Sequence, residues 1–176
     1  MFHSKPYESP VGNIILAGDG GKLTGLWRER QKYFGGTMSG ETTENDDLPV
    51  FRAAKKWLDR YFAGGKPAIS ELPLAPIGGD FRQSVWAILC EIPYGDVTTY
   101  GCIAKKIAAK TGKERMSAQA VGGAVGHNPI SIIIPCHRVI GANGNLTGYA
   151  GGIDTKIKLL EHEGVDISAF HPPRPK

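Results

Sequence analysis

Short apolar runs and one long amphipathic stretch partition the first half of the chain. Residues 2–7, 12–17 and 22–28 read as three short strands, with Gly12-Asn13 and Asp19-Gly20-Gly21 as the turns between them. Ile14, Ile15, Leu16 and Ala17 are continuously apolar, which makes that strand the central one of an antiparallel sheet. Residues 35–47 are polar, glycine-rich and acidic and read as a mobile loop. Across 48–62, Val50, Phe51, Ala54, Trp57, Leu58, Tyr61 and Phe62 recur at the spacing of an amphipathic helix. Gly64 and Gly65 end it, with Pro67 just beyond. Residues 72–79 hold two prolines and two glycines and show neither period, so they read as a linker.

Beyond residue 80 the pattern becomes mostly helical. Asp80 is a candidate N-cap for a helix over 81–92, with Val85, Trp86, Leu89 and Cys90 inward. Residues 93–96 form a turn. Thr99 can cap a helix through Ile103 and Ile107 to about Lys110, and Gly112 breaks it. Ser117 can cap a second helix over Ala118–Gly126. Helix, short connection, helix is the helix-turn-helix pattern. Ala118, Ala120, Gly122, Gly123, Ala124 and Gly126 make the second helix one of small residues, suited either to tight packing or to close approach of a DNA backbone or minor groove. Residues 130–134, apolar except for Ser131, read as a buried strand ahead of Pro135-Cys136-His137-Arg138-Val139. A last helix spans 153–163 with Ile153, Ile157, Leu159 and Leu160 inward, and the proline-rich tail 170–176 lies outside regular structure. The fold class expected is α+β. A small N-terminal α/β domain with an antiparallel sheet covers residues 1–75. A mostly helical, winged-helix-like DNA-binding and catalytic domain covers 76–176.

Composition narrows the classes. No stretch approaches the roughly 18 consecutive apolar residues of a membrane span, and the N-terminus has no apolar segment for export. Three cysteines, Cys90, Cys102 and Cys136, do not suggest a disulfide framework, so the expected setting is reducing and cytoplasmic. The net charge of +4 is uneven, with +1 in residues 1–76 and +3 in 77–176. Lys105, Lys106, Lys110, Lys113 and Arg115 face a single acid in that stretch, Glu114. Such a run is a solvated face or, beside a helix-turn-helix, a phosphate-contacting edge.

The chemistry concentrates at Cys136-His137. A thiol attacks as its thiolate, and a neighbouring imidazole can take its proton. An inert buried cysteine is an equal reading from these two residues alone. Zinc ligation is a weak one, since there is no CxxC or HxxxH.

The neighbours separate these readings. Asn128-Pro129-Ile130-Ser131-Ile132-Ile133-Ile134-Pro135-Cys136-His137-Arg138-Val139 closely resembles the active-site motif of the O6-alkylguanine-DNA alkyltransferases, the methylated-DNA–protein-cysteine S-methyltransferases. The resemblance extends upstream through Phe81-Arg82-Gln83-Ser84-Val85-Trp86, Thr98-Thr99-Tyr100 and Ala118-Gln119-Ala120-Val121-Gly122-Gly123-Ala124. Downstream it takes in Gly148-Tyr149-Ala150-Gly151-Gly152 and Leu159-Leu160-Glu161-His162-Glu163-Gly164. It implies direct-reversal DNA repair, with an alkyl group moved from guanine O6 onto the protein's own cysteine, once per molecule and without a cofactor. It implies Cys136 as nucleophile, His137 as base acting through a bridging water, and Glu163 as the residue that orients and stabilises the imidazolium. Asn128 would link the recognition helix to the active-site loop. Tyr100 would help rotate the nucleotide and donate toward the leaving guanine. Tyr149, the Val139 backbone, Ala150 and the 148–152 loop would line the base pocket. Ala118, Gln119, Gly122 and Arg138 would meet DNA. The partner implied is double-stranded DNA carrying O6-alkylguanine, entered from the minor groove with the base flipped out, by a monomer that touches no membrane. No metal site carries over, because residues 1–70 hold one histidine, His3, and no cysteine.

Two positions depart from the family pattern. Gln119 stands where many relatives have arginine, and Ala150 where serine is common; both bear on DNA binding more than on the reaction. Two rival classes are a Cys-His-Glu hydrolase or acyl transferase, which turns over without DNA, and a helix-turn-helix DNA-binding protein without chemistry, indifferent to Cys136→Ser.

Overall fold

Alternation along the first strands builds a four-stranded sheet in the order β3-β2-β1-β4, from β1 (Phe2–Ser9), β2 (Gly12–Gly18), β3 (Leu23–Arg28) and β4 (Thr42–Glu44). The computed structural model describes residues 2–29, 31, 34–35, 42–44, 47–146, 149–150 and 152–171. β1 pairs antiparallel with β2 and β2 with β3, placing β2 inside as its continuous apolar run requires. β4 pairs parallel with β1, so the sheet is mixed rather than purely antiparallel. It falls within the stretch expected to be a loop. Thr43 and Glu44 are exposed, so no apolar alternation marks this strand in the sequence. The remaining residues of that loop expectation lie largely outside the described residues.

Helix α1 (Pro49–Phe62) lies against β1, β2 and β3 and buries Val50, Phe51, Ala54, Trp57, Leu58 and Tyr61, the stripe its spacing predicted apart from Phe62, which is half-buried. The Tyr7 hydroxyl donates to Asp59 at 2.8 Å, fixing the helix to β1. Gly25 is required by packing. The indole of Trp27, only 2% exposed, lies over it, and a Cβ there would fall 2.1 Å from the ring. Gly25→Ala is therefore expected to destabilise the fold by about 1–3 kcal/mol, read as a lower denaturation midpoint in urea.

The chain divides into two compact units, Met1–Gly78 with Pro129–Ile133, and Gly79–Asn128 with Ile134–Lys176. Within the first, the outer edge of β3 is covered. Leu23 exchanges backbone bonds with Pro73 and Ala75, and Leu26 with Pro129 and Ser131. Covering an edge this way protects it from pairing with another chain. Residues 73–75 of the expected linker are thus bonded to the sheet.

The second unit contains α2 (Asp80–Leu89), β5 (Thr98–Thr99), α3 (Tyr100–Thr111), α4 (Ala118–Gly126), β6 (Val139–Ile140) and α5 (Ile153–His162). Gly79, not Asp80, occupies the N-cap of α2, and no side chain caps it; Asp80 is the first helical residue, where its charge suits the positive end of the helix dipole. Cys90 is only partly buried at the end of that helix. Thr99 and Ser117 cap α3 and α4 as expected, accepting from Cys102 and Ala120 N–H. Gly112 ends α3 in the left-handed conformation at φ 69°. The Trp86 indole donates to the Ala124 carbonyl at 2.9 Å, joining α2 to α4. β5 and β6 pair in parallel, Thr98 with Val139 and Thr99 with Ile140, which fixes the segment after the cysteine to the start of α3.

The run 130–134 is not a regular strand. Only Ile130 bridges, and the following residues turn. Ile132 has φ 71°, a left-handed conformation that a β-branched side chain rarely adopts. Ser131, Ile132, Ile133 and Ile134 are all buried, so the apolarity reports enclosure from every side rather than a ladder.

Candidate active site

Pro135, at φ −82° and ψ 65°, leads into a single 3₁₀ turn over Cys136–Arg138. Three residues per turn send three consecutive side chains in three directions, so Cys136 and His137 need not point to opposite faces as on a strand. All three are buried.

His137 Nε2 meets Glu163 Oε2 at 2.5 Å, and both side chains are fully enclosed. The other oxygen, Oε1, accepts from Arg138 Nε at 2.7 Å. Glu163 sits at the C-cap of α5, so the helix end delivers one carboxylate to two neighbours on the turn. With the ring proton on Nε2 facing the carboxylate, Nδ1 carries the lone pair. Nδ1 is buried and has no hydrogen-bond partner among the described residues. Burial holds the imidazole below its ordinary pKa, with Glu163 pulling it up and Arg138 and Lys156 pushing it down. His137 therefore rests neutral, with the orienting partner on one nitrogen and basic capacity on the other.

Burial likewise pushes the Cys136 thiol up; the Asn128 amide, the Lys156 ammonium, its own backbone N–H and the Tyr149 hydroxyl pull it down. Asn128 is 3% exposed and donates to the Ile134 carbonyl at 2.8 Å. It thus joins the end of α4 to the approach to the cysteine, across the five residues Pro129–Ile133, while also bonding the sulfur.

The other expected residues fall into three groups. Tyr100 starts α3, half-buried, beside Gly122 of α4; a Cβ on Gly122 would lie 3.8 Å from its ring, an ordinary contact, so the tyrosine's place does not require glycine there. Ala118 and Gln119 are exposed on α4, and Gly123 and Gly126 would meet nothing if given a Cβ. Small size at those two positions does not serve packing. Val139 is fully buried, and its N–H bonds Cys136 O. Tyr149 and Ala150 are partly buried, whereas Gly148 and Gly151 lie outside the described residues.

Arg138, expected among the residues that meet DNA, has inward bonds in this structure. It is 7% exposed, donates to Glu163 and at 2.7 Å to the Ile92 carbonyl, and lies 5.7 Å over the Tyr94 ring. Its Nε and Nη1 donors point inward, so it is a structural partner of the carboxylate.

Lys156 was missed. It is 0% exposed on α5, and its ammonium donates to the Val139 carbonyl at 2.5 Å. The signal was present. Positions 153, 156, 160 and 163 share one helical face, so Lys156 and Glu163 interrupt an otherwise apolar stripe at heptad spacing.

A cavity of about 560 Å³ runs beside α3, with Gly101, Ala104 and Ala108 in its lining and Lys105, Lys113 and Arg115 among its charged residues. None of its lining residues belongs to the cysteine turn. Among the described residues no group of three or more His, Cys, Asp or Glu is placed to hold a metal ion, and no helix is long and apolar enough to cross a membrane.

Comparison with known proteins meets this geometry from outside. Residues 80–165 match the DNA binding domain of 6-O-methylguanine DNA methyltransferase, and residues 3–76 match the ribonuclease-like domain of the same family. The chain belongs to the 6-O-methylguanine DNA methyltransferase family. The methylated-DNA–protein-cysteine methyltransferase of Methanosarcina acetivorans is 48% identical over 160 residues, 90% of this chain and 96% of that protein. The protein of that name from Haemophilus influenzae is 41% identical, covering 90% and 84%. The crystal structure of Mycobacterium tuberculosis OGT in complex with DNA superposes with a TM-score of 0.78 at 44% identity, covering 96% of this chain and 94% of that one. Family membership agrees with an N-terminal unit built on a mainly antiparallel sheet and a helical C-terminal unit. The resemblance first seen around Cys136 thus spans nearly the whole chain.

Proposed function

We propose that the protein repairs O6-methylguanine in double-stranded DNA by direct reversal, taking the methyl group onto Cys136. The observation that carries this reading is the buried His137–Glu163 pair, which leaves Nδ1 as an acceptor one residue from a thiol that Asn128 and Tyr149 bond. His137 takes the thiol proton, directly or through water, and Glu163 stabilises the resulting imidazolium. The sulfur attacks the methyl carbon, an S–C bond forms and the C–O6 bond breaks. The departing guanine regains a proton from the Tyr100 hydroxyl, the donor that the family resemblance assigns to this step. The His137 imidazolium then gives its proton back to the tyrosinate through water, so that in the net reaction the thiol proton ends on guanine and no redox or cofactor step is needed. The thioether does not turn over, so each molecule acts once.

A stacked base is out of reach of a buried thiol, so the nucleotide is flipped out. Helix α4 offers the surface for this, since Ala118, Gln119, Gly123 and its neighbours present little bulk to a minor groove. The basic run from Lys105 to Arg115 faces phosphates. A resting free thiol suits a reducing cytoplasm, and the reaction as written needs one copy of the chain. The test uses a duplex labelled in the O6-methyl carbon. Label should pass to protein up to one equivalent and stop. Continued release of label into solution would make the protein a hydrolase, and no transfer with DNA binding intact would make it a binding module.

Gln119 supplies a second check. Arginine at this exposed position of α4 adds a charge near phosphates, so Gln119→Arg is expected to tighten duplex binding and steepen its salt dependence by roughly one unit of slope at most. Affinity for one duplex across a salt series measures it. Unchanged slope and affinity would remove Gln119 from the interface and leave α4 a packing helix.

A further inference from the structure

We propose that the C-terminal segment 165–171 is a positioning strap: by pairing with the turn at 141–146 it fixes both arms of that turn, and with them the loop that carries Tyr149. This role rests on Tyr149 lining the base pocket, as proposed above, and brings the C-terminal segment into the same reaction.

The turn is tight. Asn143, at φ 62° and ψ 26°, and Gly144, at φ 77°, are both left-handed, the pair that a type I′ turn requires and that Asn-Gly adopts readily. Asn145 N–H donates to the Ala142 carbonyl at 3.4 Å, and Gly141 N–H donates to the Asn145 carbonyl at 2.7 Å. Two arms joined by bonds of this kind are marginal in water, and a third strand or an apolar face is what makes a hairpin hold. The C-terminal segment supplies both. His171 bridges Asn145 in parallel: Leu146 N–H donates to the His171 carbonyl at 2.8 Å, and His171 N–H donates to the Gly144 carbonyl at 3.0 Å. The His171 ring adds a bond of 3.2 Å between Nε2 and the Asn143 carbonyl. Val165, Ile167 and Phe170 pack against Ile140, Leu146 and Leu160. The approach is close enough to need glycine, since a Cβ at Gly144 would fall 2.8 Å from the Ala169 carbonyl oxygen.

Both arms lead to the proposed chemistry, and all of these residues belong to the second unit. Ahead of the turn is β6, which follows the cysteine turn directly and pairs Ile140 with Thr99, the residue before Tyr100. Beyond the turn, Tyr149 lies three residues after Leu146, and its carbonyl accepts from Gly152 N–H at 2.9 Å. Leu146 is therefore held at once by an apolar cluster and by a backbone bond to the strap, at the point where the chain sets out toward the tyrosine. The strap itself is light. Its apolar side chains are half-buried and His171 is exposed, which places it among the elements that open at low cost. It orders the pocket loop without holding up the rest of the unit.

The experiment compares the chain ended at His171, which keeps both backbone bonds to the turn, with the chain ended at Phe170, which loses them. Hydrogen–deuterium exchange is read without DNA, so it decides whether the strap orders the loop even if methyl transfer is not the function. In the chain ended at Phe170, the Leu146 and Gly152 amides are expected to exchange roughly 10-fold faster, with α3 exchanging as in the longer chain. At saturating duplex its single-turnover methyl transfer is expected to slow about 10-fold while duplex affinity stays within about 2-fold, because the loss is one of alignment at the bound base rather than of phosphate contacts. A segment that only stabilised the fold would speed exchange in α3 as well and leave the transfer rate of the folded protein alone, and that result overturns the proposal. So does unchanged exchange at Leu146 and Gly152, or faster exchange there with transfer at the rate of the longer chain. If the chain ended at Phe170 does not fold, Phe170→Ala in the full chain removes the apolar anchor and is read by the same two measurements. Absence of transfer by the parent protein would overturn the repair reading and leave the exchange result to decide the strap.

Discussion

Duplex DNA carrying O6-methylguanine is expected to methylate Cys136 and to leave Cys102 untouched, although Cys102 is the more acidic and more accessible thiol. Cys102 is exposed in the first turn of α3, where the Thr99 hydroxyl, above all, pulls its thiol below the ordinary value and Lys105 adds to it. Cys136 is buried and held above the ordinary value. A thiolate is the nucleophile, so a small soluble reagent such as iodoacetamide should take Cys102 first. The methyl carbon of O6-methylguanine is a poor electrophile, and its transfer depends on being held in line with the sulfur, an advantage worth several orders of magnitude in effective concentration. Among the described cysteines, Cys136 alone lies beside a buried His–Glu pair, with Asn128 and Tyr149 bonding its sulfur. Intact-protein mass spectrometry should therefore show one adduct of about 14 Da, saturating at one equivalent and mapping to the peptide with Cys136. Cys136→Ser should abolish it, and Cys102→Ser should not change it. An adduct on Cys102 or Cys90, or more than one equivalent, overturns the assignment.

The difference between these two thiols also marks what the sequence could and could not carry. Cys136 and His137 stood out because residue types report chemistry directly, and the flanking motifs report it in order. Helices α1, α3 and α4 were legible because their apolar spacing and their Thr99 and Ser117 caps act locally. Where distant contacts decide, the pattern failed. Residues 130–134 look like a strand because they are apolar, yet they are enclosed on all sides and turn at Ile132. β4 shows no alternation because its side chains at 43 and 44 face solvent. Arg138 was placed among the residues meeting DNA by resemblance; its inward bonds depend on Glu163, 25 residues away in sequence. Lys156 was passed over for the same reason. Nothing within its own helix says that the carbonyl of Val139 will sit at its tip. Charges that break an apolar stripe are the local trace of such long-range partners, and both of those on α5 lead to the cysteine turn.

Glu163→Gln is expected to slow methyl transfer by roughly 10²-fold or more while leaving affinity for duplex DNA near that of the parent. The argument lies in what each oxygen does. The carboxylate accepts on both sides, from His137 at Oε2 and from Arg138 at Oε1. An amide of the same shape accepts on one side and donates on the other. Arginine can only donate, so the amide oxygen turns to Arg138 and the NH₂ group faces His137 Nε2. The ring then keeps its proton on Nδ1, the nitrogen that must take the proton of Cys136. The loss is one of tautomer as well as charge, which explains why a near-isosteric change should cost so much. The same substitution removes the anion paired with the buried Arg138, and breaking a buried ionic contact typically costs about 3–5 kcal/mol of stability. Single-turnover transfer rates, duplex affinity and a denaturation curve on one preparation separate these effects. Glu163→Asp retains a charged acceptor and should recover part of the rate. Transfer by folded Glu163→Gln at the parent rate would reduce Glu163 to a helix-end anchor for Arg138 and leave His137 without a role as base.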